Sequence, residues 1–216
     1  MQQEKFTGGF NKRKRRIPKE TINRLPLYLR CLQILIDEGK LKATSQMMSD
    51  KLHLNPHLVR KDLSRLGGFG TQGVGYPVKN LASQLRSILQ VDQKWEIALV
   101  GVGNIGSALL TYQGFDRTAF NISLAFDEDT ELIGEMANGV RIEHVSKLTE
   151  RVQEESIKLG IIAVPATSAQ KVADRLVDGG VKGILNFALP QITVPEEVTL
   201  AQVSLIKELE KLSFYL

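Results

Sequence analysis

Gly101, Gly103 and Gly106 follow one another as G-x-G-x-x-G, directly behind the apolar run Ile97-Ala98-Leu99-Val100 and directly ahead of a helical run, Ser107 to Tyr112. In a strand–turn–helix context each glycine meets a separate steric demand. Gly101 makes the tight turn, Gly103 lets backbone amides come close to a ligand, and Gly106 lets the helix pack against the strand. A helix starting there aims free N–H groups and the positive end of its dipole at whatever sits over the turn, so the chemistry is anion binding. Gly101, Val102, Gly103, Asn104, Ile105 and Gly106 are therefore expected to cradle a pyrophosphate. A second strand, Ile122 to Phe126, ends in Asp127, which stands 21 residues beyond Gly106. A carboxylate there accepts hydrogen bonds from ribose hydroxyls and repels a 2′-phosphate, which favours NADH and NAD+ over their 2′-phosphorylated forms. The competing reading is that Asp127 caps its own turn into Glu128-Asp129-Thr130.

A second set of residues points to a polyanion. Residues 1–80 hold 16 Lys+Arg against 6 Asp+Glu, and residues 81–216 hold 12 against 18, so the formal charge of +4 hides a basic front and an acidic remainder. The two parts call for different partners, nucleic acid first and an anionic membrane second for the basic one. Asn55 followed by Pro56 marks a helix start, because Asn caps free amides and Pro at the first position has no donor to waste. On that helix Val59, Leu63 and Leu66 share one stripe, leaving His57, Arg60, Lys61 and Ser64 on the opposite, basic one. The alternative is a helical bundle with a solvated charged face.

The elements that must position these groups can be read from periodicity. Ile22, Leu25, Leu29, Leu32 and Ile36 repeat at helical spacing and give a first helix from Lys19, ended by Gly39 and disturbed by Pro26. A short helix spans Ser45 to Leu52, capped by Thr44 or Ser45, with Met47, Met48 and Leu52 inward. Helix, short helix and basic helix form a helix-turn-helix. The segment Gly67 to Tyr76 has five glycines in ten residues. It reads as a hairpin wing able to approach phosphates or a minor groove, with Thr71, Gln72 and Tyr76 as contact residues. A phosphate-binding loop is its rival, but it lacks the lysine and hydroxyl of that pattern. Residues 78–93 read as a linking helix with Leu81, Leu85, Ile88 and Leu89 on its apolar stripe.

Beyond Asp127, strands fit Arg141–Val145, Leu159–Val164 and Gly183–Phe187, alternating with helices around Ser146–Glu155 and Thr167–Val177. That alternation predicts a parallel doubly wound α/β sheet with ligand at the carboxyl ends of its strands. The turns there contribute Val164 and Pro165, and Asn186, Phe187 and Ala188, as neighbours for the nicotinamide end or as ordinary loop residues. The whole is α/β with a small α+β module: a basic arm over 1–16, a winged helix-turn-helix over 17–79 and a Rossmann domain over 80–204. The arm, ending in Lys12-Arg13-Lys14-Arg15-Arg16, either solubilises or touches phosphates. With no apolar run of about 20 residues and no signal-like segment, a cytoplasmic protein is expected. The single cysteine, Cys31, lies in a helical pattern as a core residue, so neither a disulfide nor a zinc cluster is expected within the chain. His53, His57 and His144 offer no evident positioned acid or base. An enzyme is not expected, an NAD-dependent dehydrogenase being the alternative, and a CoA- or nucleotide-binding regulator shares the fold.

With these residues assembled, the chain resembles the Rex family of redox-sensing repressors from about Ile17 to Leu216. The resemblance is carried by Arg24-Leu25-Pro26-Leu27-Tyr28-Leu29-Arg30, by Val59-Arg60-Lys61-Asp62-Leu63-Ser64, and by the segment Gly70 to Tyr76. The glycine turn, Ala125-Phe126-Asp127 and the segment Lys182 to Ala188 add to it. The resemblance implies a homodimer packed through a C-terminal helix at about Leu205–Tyr215, in a dimer-forming segment 205–216. It implies binding to an A·T-rich inverted-repeat operator and release when NADH binds. It also implies a switch that uses Arg30, Tyr112 and the position of Ser204. Two residues depart from the family pattern: Gln72 stands where many members have a basic residue, and Ser204 where many have aspartate.

Overall fold

The computed structural model describes residues 17–67, 74–115, 118–189 and 191–216. The chain divides into two compact units, one ending at Gln93 and the other beginning at Lys94.

In the first unit α1 (Lys19–Asp37), α2 (Ser45–Leu52) and α3 (Pro56–Leu66) are followed by α4 (Val78–Leu89). Two short strands, β1 (Lys42–Ala43) and β2 (Tyr76–Pro77), pair antiparallel, so the chain leaving the glycine-rich segment returns to the root of α2. Both helix starts carry their side-chain caps: Thr44 Oγ1 accepts from Met47 N–H, and Asn55 Oδ1 accepts from His57 N–H. Helix α1 runs through Pro26 without a break. Its buried stripe is Thr21, Leu25, Tyr28, Leu32 and Leu35, whereas Ile22 is exposed. Leu25, Leu32 and, partly buried, Leu29 and Ile36 face this core as the spacing predicts, and the polar pair Thr21 and Tyr28 joins them while Ile22 does not. Each fully buried leucine of this stripe contributes about 1.5–3 kcal/mol of transfer free energy. Val78, Leu81, Ala82 and Leu85 of α4 join the same core as Leu25, Tyr28 and Leu32. The expected linking helix thus belongs to the first unit, and the boundary falls after Gln93 rather than at residue 80.

The second unit has the order β3 (Trp95–Val100), α5 (Asn104–Leu110), β4 (Phe120–Asp127), β5 (Met136–Ala137) and β6 (Val140–His144). There follow α6 (Leu148–Glu154), β7 (Leu159–Ile162), α7 (Ala166–Asp178), β8 (Gly183–Asn186), β9 (Thr199–Gln202) and α8 (Leu205–Ser213). The sheet order is β5-β6-β4-β3-β7-β8-β9, with every pair parallel except β5 and β6. Along β3, Ala98 and Val100 feed one core and Ile97 and Leu99 the other. That period of two places the central strand between two apolar layers. Helices α6 and α7 cover the first layer with Leu148, Val152, Val172 and Leu176, while Leu110 of α5 joins the second. The strand order reverses on either side of β3, which opens a crevice at the carboxyl ends of β3 and β7. Strands β5 and β9 are additions to the expected set. Among the described residues no helix is long and apolar enough to cross a membrane.

Candidate cofactor and DNA-binding sites

The glycine turn sits at that crevice. Gly101 adopts φ +94°, and a Cβ there would stand 2.6 Å from the Ala163 carbonyl oxygen, so β7 can pass this close only because the residue is glycine. At Gly106 a Cβ would collide with the Gly101 carbonyl oxygen, which fixes how near α5 lies to the turn. Gly103 is the opposite case: nothing lies within 4 Å of where its Cβ would be, and it forms the uncapped start of α5. Val102 is buried, while Gly103, Asn104 and Ile105 face outward.

Asp127 closes the turn from the side. Its Oδ2 accepts the Val102 N–H at 2.6 Å, and its Oδ1 accepts the N–H groups of Glu128 at 2.8 Å and Asp129 at 3.0 Å. The capping role raised as an alternative is thus present, and it does not exhaust the group: a carboxylate offers about four lone-pair sites, and three are engaged. Gly101, Gly103 and Asp127 line a cleft of about 340 Å³ with Glu128, Asp129 and Val145. Val164 and Pro165, at the start of α7, line the same cleft.

Helix α7 also lines the cleft, through Ser168, Lys171 and Arg175. These three lie outside the motifs of the sequence. Their spacing of three and four residues in a helix following a strand end was the available signal. Arg175 is held by donating from Nη1 to the Val145 carbonyl oxygen at 3.2 Å.

The turn after β8 is held by its own side chain. Asn186 is fully buried, and its side chain is spent internally. Its Oδ1 accepts the Ala188 N–H at 2.9 Å, and its Nδ2 donates to Ala188 O at 3.1 Å and to Gln202 Oε1 at 2.8 Å. Ala188 is buried as well, leaving Phe187 half-buried as the more open of the three. Asn186 therefore holds the turn and its neighbour Gln202 instead of presenting its amide outward.

Tyr112, just after α5, is exposed and packs edge-on against Phe115 at 5.5 Å between ring centres. Arg30 is exposed on α1. Ser204 is the N-cap of α8, its Oγ accepting the Lys207 N–H at 3.2 Å. In the single chain α8 leaves Leu205, Ile206, Leu209 and Leu212 exposed. His144 caps the turn after β6 by accepting from the Ser146 N–H. Cys31 is buried, and burial pushes its thiol pKa up, away from a reactive thiolate. Among the described residues no group of three or more metal-ligating side chains comes together.

In the first unit α3 places His57, Arg60, Lys61 and Ser64 on its exposed face and Val59, Leu63 and Leu66 inside, as the spacing requires. Asn55 is exposed at its start and Tyr76 is half-buried in β2, while Thr71 and Gln72 lie outside the described residues. One further residue of α3 is fully buried: Asp62. Its carboxylate accepts from Thr21 Oγ1 at 2.8 Å, Arg24 Nε at 2.6 Å, Arg24 Nη2 at 3.0 Å and Tyr28 Oη at 2.7 Å. Burial alone pushes this carboxyl up. The hydrogen bonds from Arg24, Tyr28 and Thr21 outweigh it and hold the group below the usual aspartate value. Burial, and then the bond to Asp62, push the Tyr28 phenol well up.

A helix-turn-helix unit with a basic outer helix, joined in one chain to a Rossmann unit with a dinucleotide-type turn, defines a DNA-binding regulator with a nucleotide-sensing domain. Comparison with known proteins gives the same two parts: residues 16–64 match the family model "Putative DNA-binding protein N-terminus" and residues 92–189 the "CoA binding domain". The redox-sensing transcriptional repressor Rex of Syntrophomonas wolfei is 45% identical over 93% of this chain and 96% of its own length. That of Streptomyces coelicolor is 40% identical over 94% and 79%. Among solved structures, RSP in complex with β-NAD+ and operator DNA matches with a TM-score of 0.88 at 34% identity, covering 92% of each chain. RSP in complex with β-NADH matches at 0.83 and 32%, covering 93% and 94%. The chain belongs to the Rex family of redox-sensing transcriptional repressors.

Proposed function

We propose that this protein is a homodimeric, cytoplasmic repressor that holds an A·T-rich inverted-repeat operator through α3 and the glycine-rich wing, and releases it on binding NADH. The observation that carries the nucleotide half is the Asp127 carboxylate, locked by the Val102 N–H at the mouth of a turn whose Gly103 leaves open space.

The residues present fit the cofactor. Gly103 leaves room for a pyrophosphate, the backbone from Gly103 to Gly106 at the start of α5 supplies N–H donors, and Asp127 keeps one acceptor site for a ribose hydroxyl. The cleft is within the range of about 300–1,000 Å³ usual for small-molecule sites. Lys171 and Arg175 line the same cleft as Asp127, Glu128 and Asp129, so a nucleotide there meets charge of both signs. No bond of the cofactor is made or broken in this role; the bound nucleotide acts as an effector through its different affinity for two states of the protein. On the DNA side, Arg60 and Lys61 provide base-edge and phosphate contacts, with Asn55, His57 and Ser64 beside them. The exposed apolar face of α8 supplies the dimer contact.

The description of the matched family model raises a second reading, a CoA-responsive regulator. The run Asp127-Glu128-Asp129 at the ribose end disfavours a phosphorylated ribose, and CoA carries one. Titration of the protein with NADH, NAD+, NADPH and CoA separates the readings. NADH is expected to bind tightest, with NADPH and CoA weaker by about tenfold or more, the discrimination one mispaired charged contact supplies. CoA or NADPH binding as tightly as NADH would overturn the assignment. Steady NADH consumption with 2-oxo acids would instead favour a dehydrogenase.

A further inference from the structure

Two segments that carry the family resemblance, Arg24 to Arg30 and Val59 to Ser64, lie on different helices, and the structure shows a reason for their joint presence. Thr21, Arg24 and Tyr28 recur at spacings of three and four along α1, so they share one face. All three donate to the same carboxylate, that of Asp62 on α3. Arg65, one turn further along α3, lies 3.8 Å from Asp62 Oδ1 and donates from Nη1 to Thr21 Oγ1 at 3.2 Å. The Asp62 carboxylate is completely buried, and the Arg24 side chain is 21% exposed.

The rest of the contact between α3 and the core is aliphatic, through Val59, Leu63 and Leu66. Apolar packing is non-directional and tolerates small shifts, whereas hydrogen bonds and the planar guanidinium fork of Arg24 weaken steeply with angle. A buried ion pair is also a weak source of net stability, since an apolar replacement of similar volume is often neutral. What the cluster supplies, and the leucines cannot, is one orientation. We propose that Asp62 is a positioning residue for operator recognition, fixing the roll of α3 against α1 and so aiming His57, Arg60, Lys61 and Ser64.

The geometry is demanding enough for this to matter. A roll of about 15° moves groups at the helix's outer radius of roughly 5–6 Å by about 1.5 Å. Binding constellations need to be held within about 0.5 Å and 10–20°. A slack α3 would still present its positive charge, so binding to phosphates in general would persist while readout of base edges fell. This inference rests on the reading of α3 as the operator helix.

The test uses full-length protein and a duplex selected by the wild type from a random-sequence pool, alongside a scrambled duplex of the same length at one salt concentration. The variant Thr21→Val/Arg24→Met/Tyr28→Phe/Asp62→Leu makes the cluster apolar at similar volume. It is expected to bind the scrambled duplex within about threefold of wild type, since its phosphate-facing charges are unchanged, and to lose about tenfold or more of its preference for the selected duplex. NADH affinity, which depends on the other unit, should not move. A folded variant that keeps the wild-type preference overturns the inference. If that variant does not fold, Tyr28→Phe and Asp62→Asn, measured below their own unfolding transitions, decide it: a reduced preference at unchanged scrambled-duplex affinity supports it. Equal losses on both duplexes, the mark of a merely structural role, overturn it. Failure of the underlying reading looks different, because then Arg60→Ala leaves the preference of the otherwise wild-type protein intact.

Discussion

The Val102 N–H donates to Asp127 Oδ2 across 2.6 Å, joining the second residue of the glycine turn to the last residue of β4. The two stand 25 residues apart in the chain, yet one hydrogen bond makes the pyrophosphate loop and the ribose carboxylate a single rigid piece. Hydrogen bonds to a charged group contribute about 1.5–3 kcal/mol. The parts that would hold the two ends of an adenosine diphosphate are therefore positioned before any ligand arrives.

Gly103→Val is expected to abolish NADH binding and to leave folding and operator binding intact. The glycine has φ −67° and nothing within 4 Å of a Cβ, so valine fits the apoprotein and fills the space a pyrophosphate needs. The variant should be a constitutive repressor. Titration calorimetry with NADH, paired with operator binding at saturating NADH, checks it; release of the variant at wild-type NADH concentrations would place the effector elsewhere.

Arg60 and Lys61 should fail differently. Both are exposed on α3, and among the described residues Arg60 makes a long contact of 3.4 Å from Nη2 to Ser45 Oγ, so its fork can turn to a base edge. Arg60→Ala should cost about 1–3 kcal/mol on the operator and relax specificity at one position, while Lys61→Ala should weaken all sequences alike and lower the salt slope by about 1. Affinities on operator and scrambled duplexes across a salt series read both effects.

Much of this was legible in the sequence, and the exceptions share a cause. The glycine turn, Asp127 and the caps Thr44 and Asn55 are local features whose spacing carries their meaning. On α1 apolar counting finds the inward face but takes in the exposed Ile22 and passes over Thr21 and Tyr28, whose burial is offset by a carboxylate 41 and 34 residues away. For Asn186 the sequence leaves a ligand neighbour and an ordinary loop residue both open, because one of its partners, Gln202, lies on a strand, β9, too weakly patterned to read. The boundary shifted from residue 80 because the apolar stripe of α4 does not reveal which core it joins. Long-range polar pairing was invisible where short-range steric demand was not.

The Asp62 cluster should show in acid. Its folded pKa lies below the unfolded value of about 3.9, so it contributes stability that is complete above that value and is lost as pH falls through the lower folded one. Tyr28→Phe removes one donor to the carboxylate, and the stability difference from wild type, about 1.5–3 kcal/mol at pH 7, should shrink below about pH 4. Urea unfolding followed by circular dichroism across that range measures it. A difference that stays constant with pH would mean the carboxylate is not the source.

Ser204 caps α8, and aspartate caps a helix equally well, so Ser204→Asp adds a charge without loosening the helix. In the proposed switch with Arg30 and Tyr112, serine lacks the charge-assisted bond, typically about twice as strong as a neutral one, that would favour one state. The variant is expected to widen the ratio of NAD+ to NADH dissociation constants. Glu208 is the competing carboxylate, here paired with Lys211 at 2.7 Å. An unchanged ratio in Ser204→Asp, with a changed one in Glu208→Ala, would transfer the role to it.

Coupling of an NADH site to release of DNA within one chain is read by a mobility-shift titration on an A·T-rich inverted repeat. Half-site centres should lie about one helical turn or a multiple apart, as a symmetric dimer requires. A retained complex without nucleotide, release by NADH, and little or no release by NAD+ at the same concentration are expected. Release by both forms alike, or by neither, would contradict this coupling.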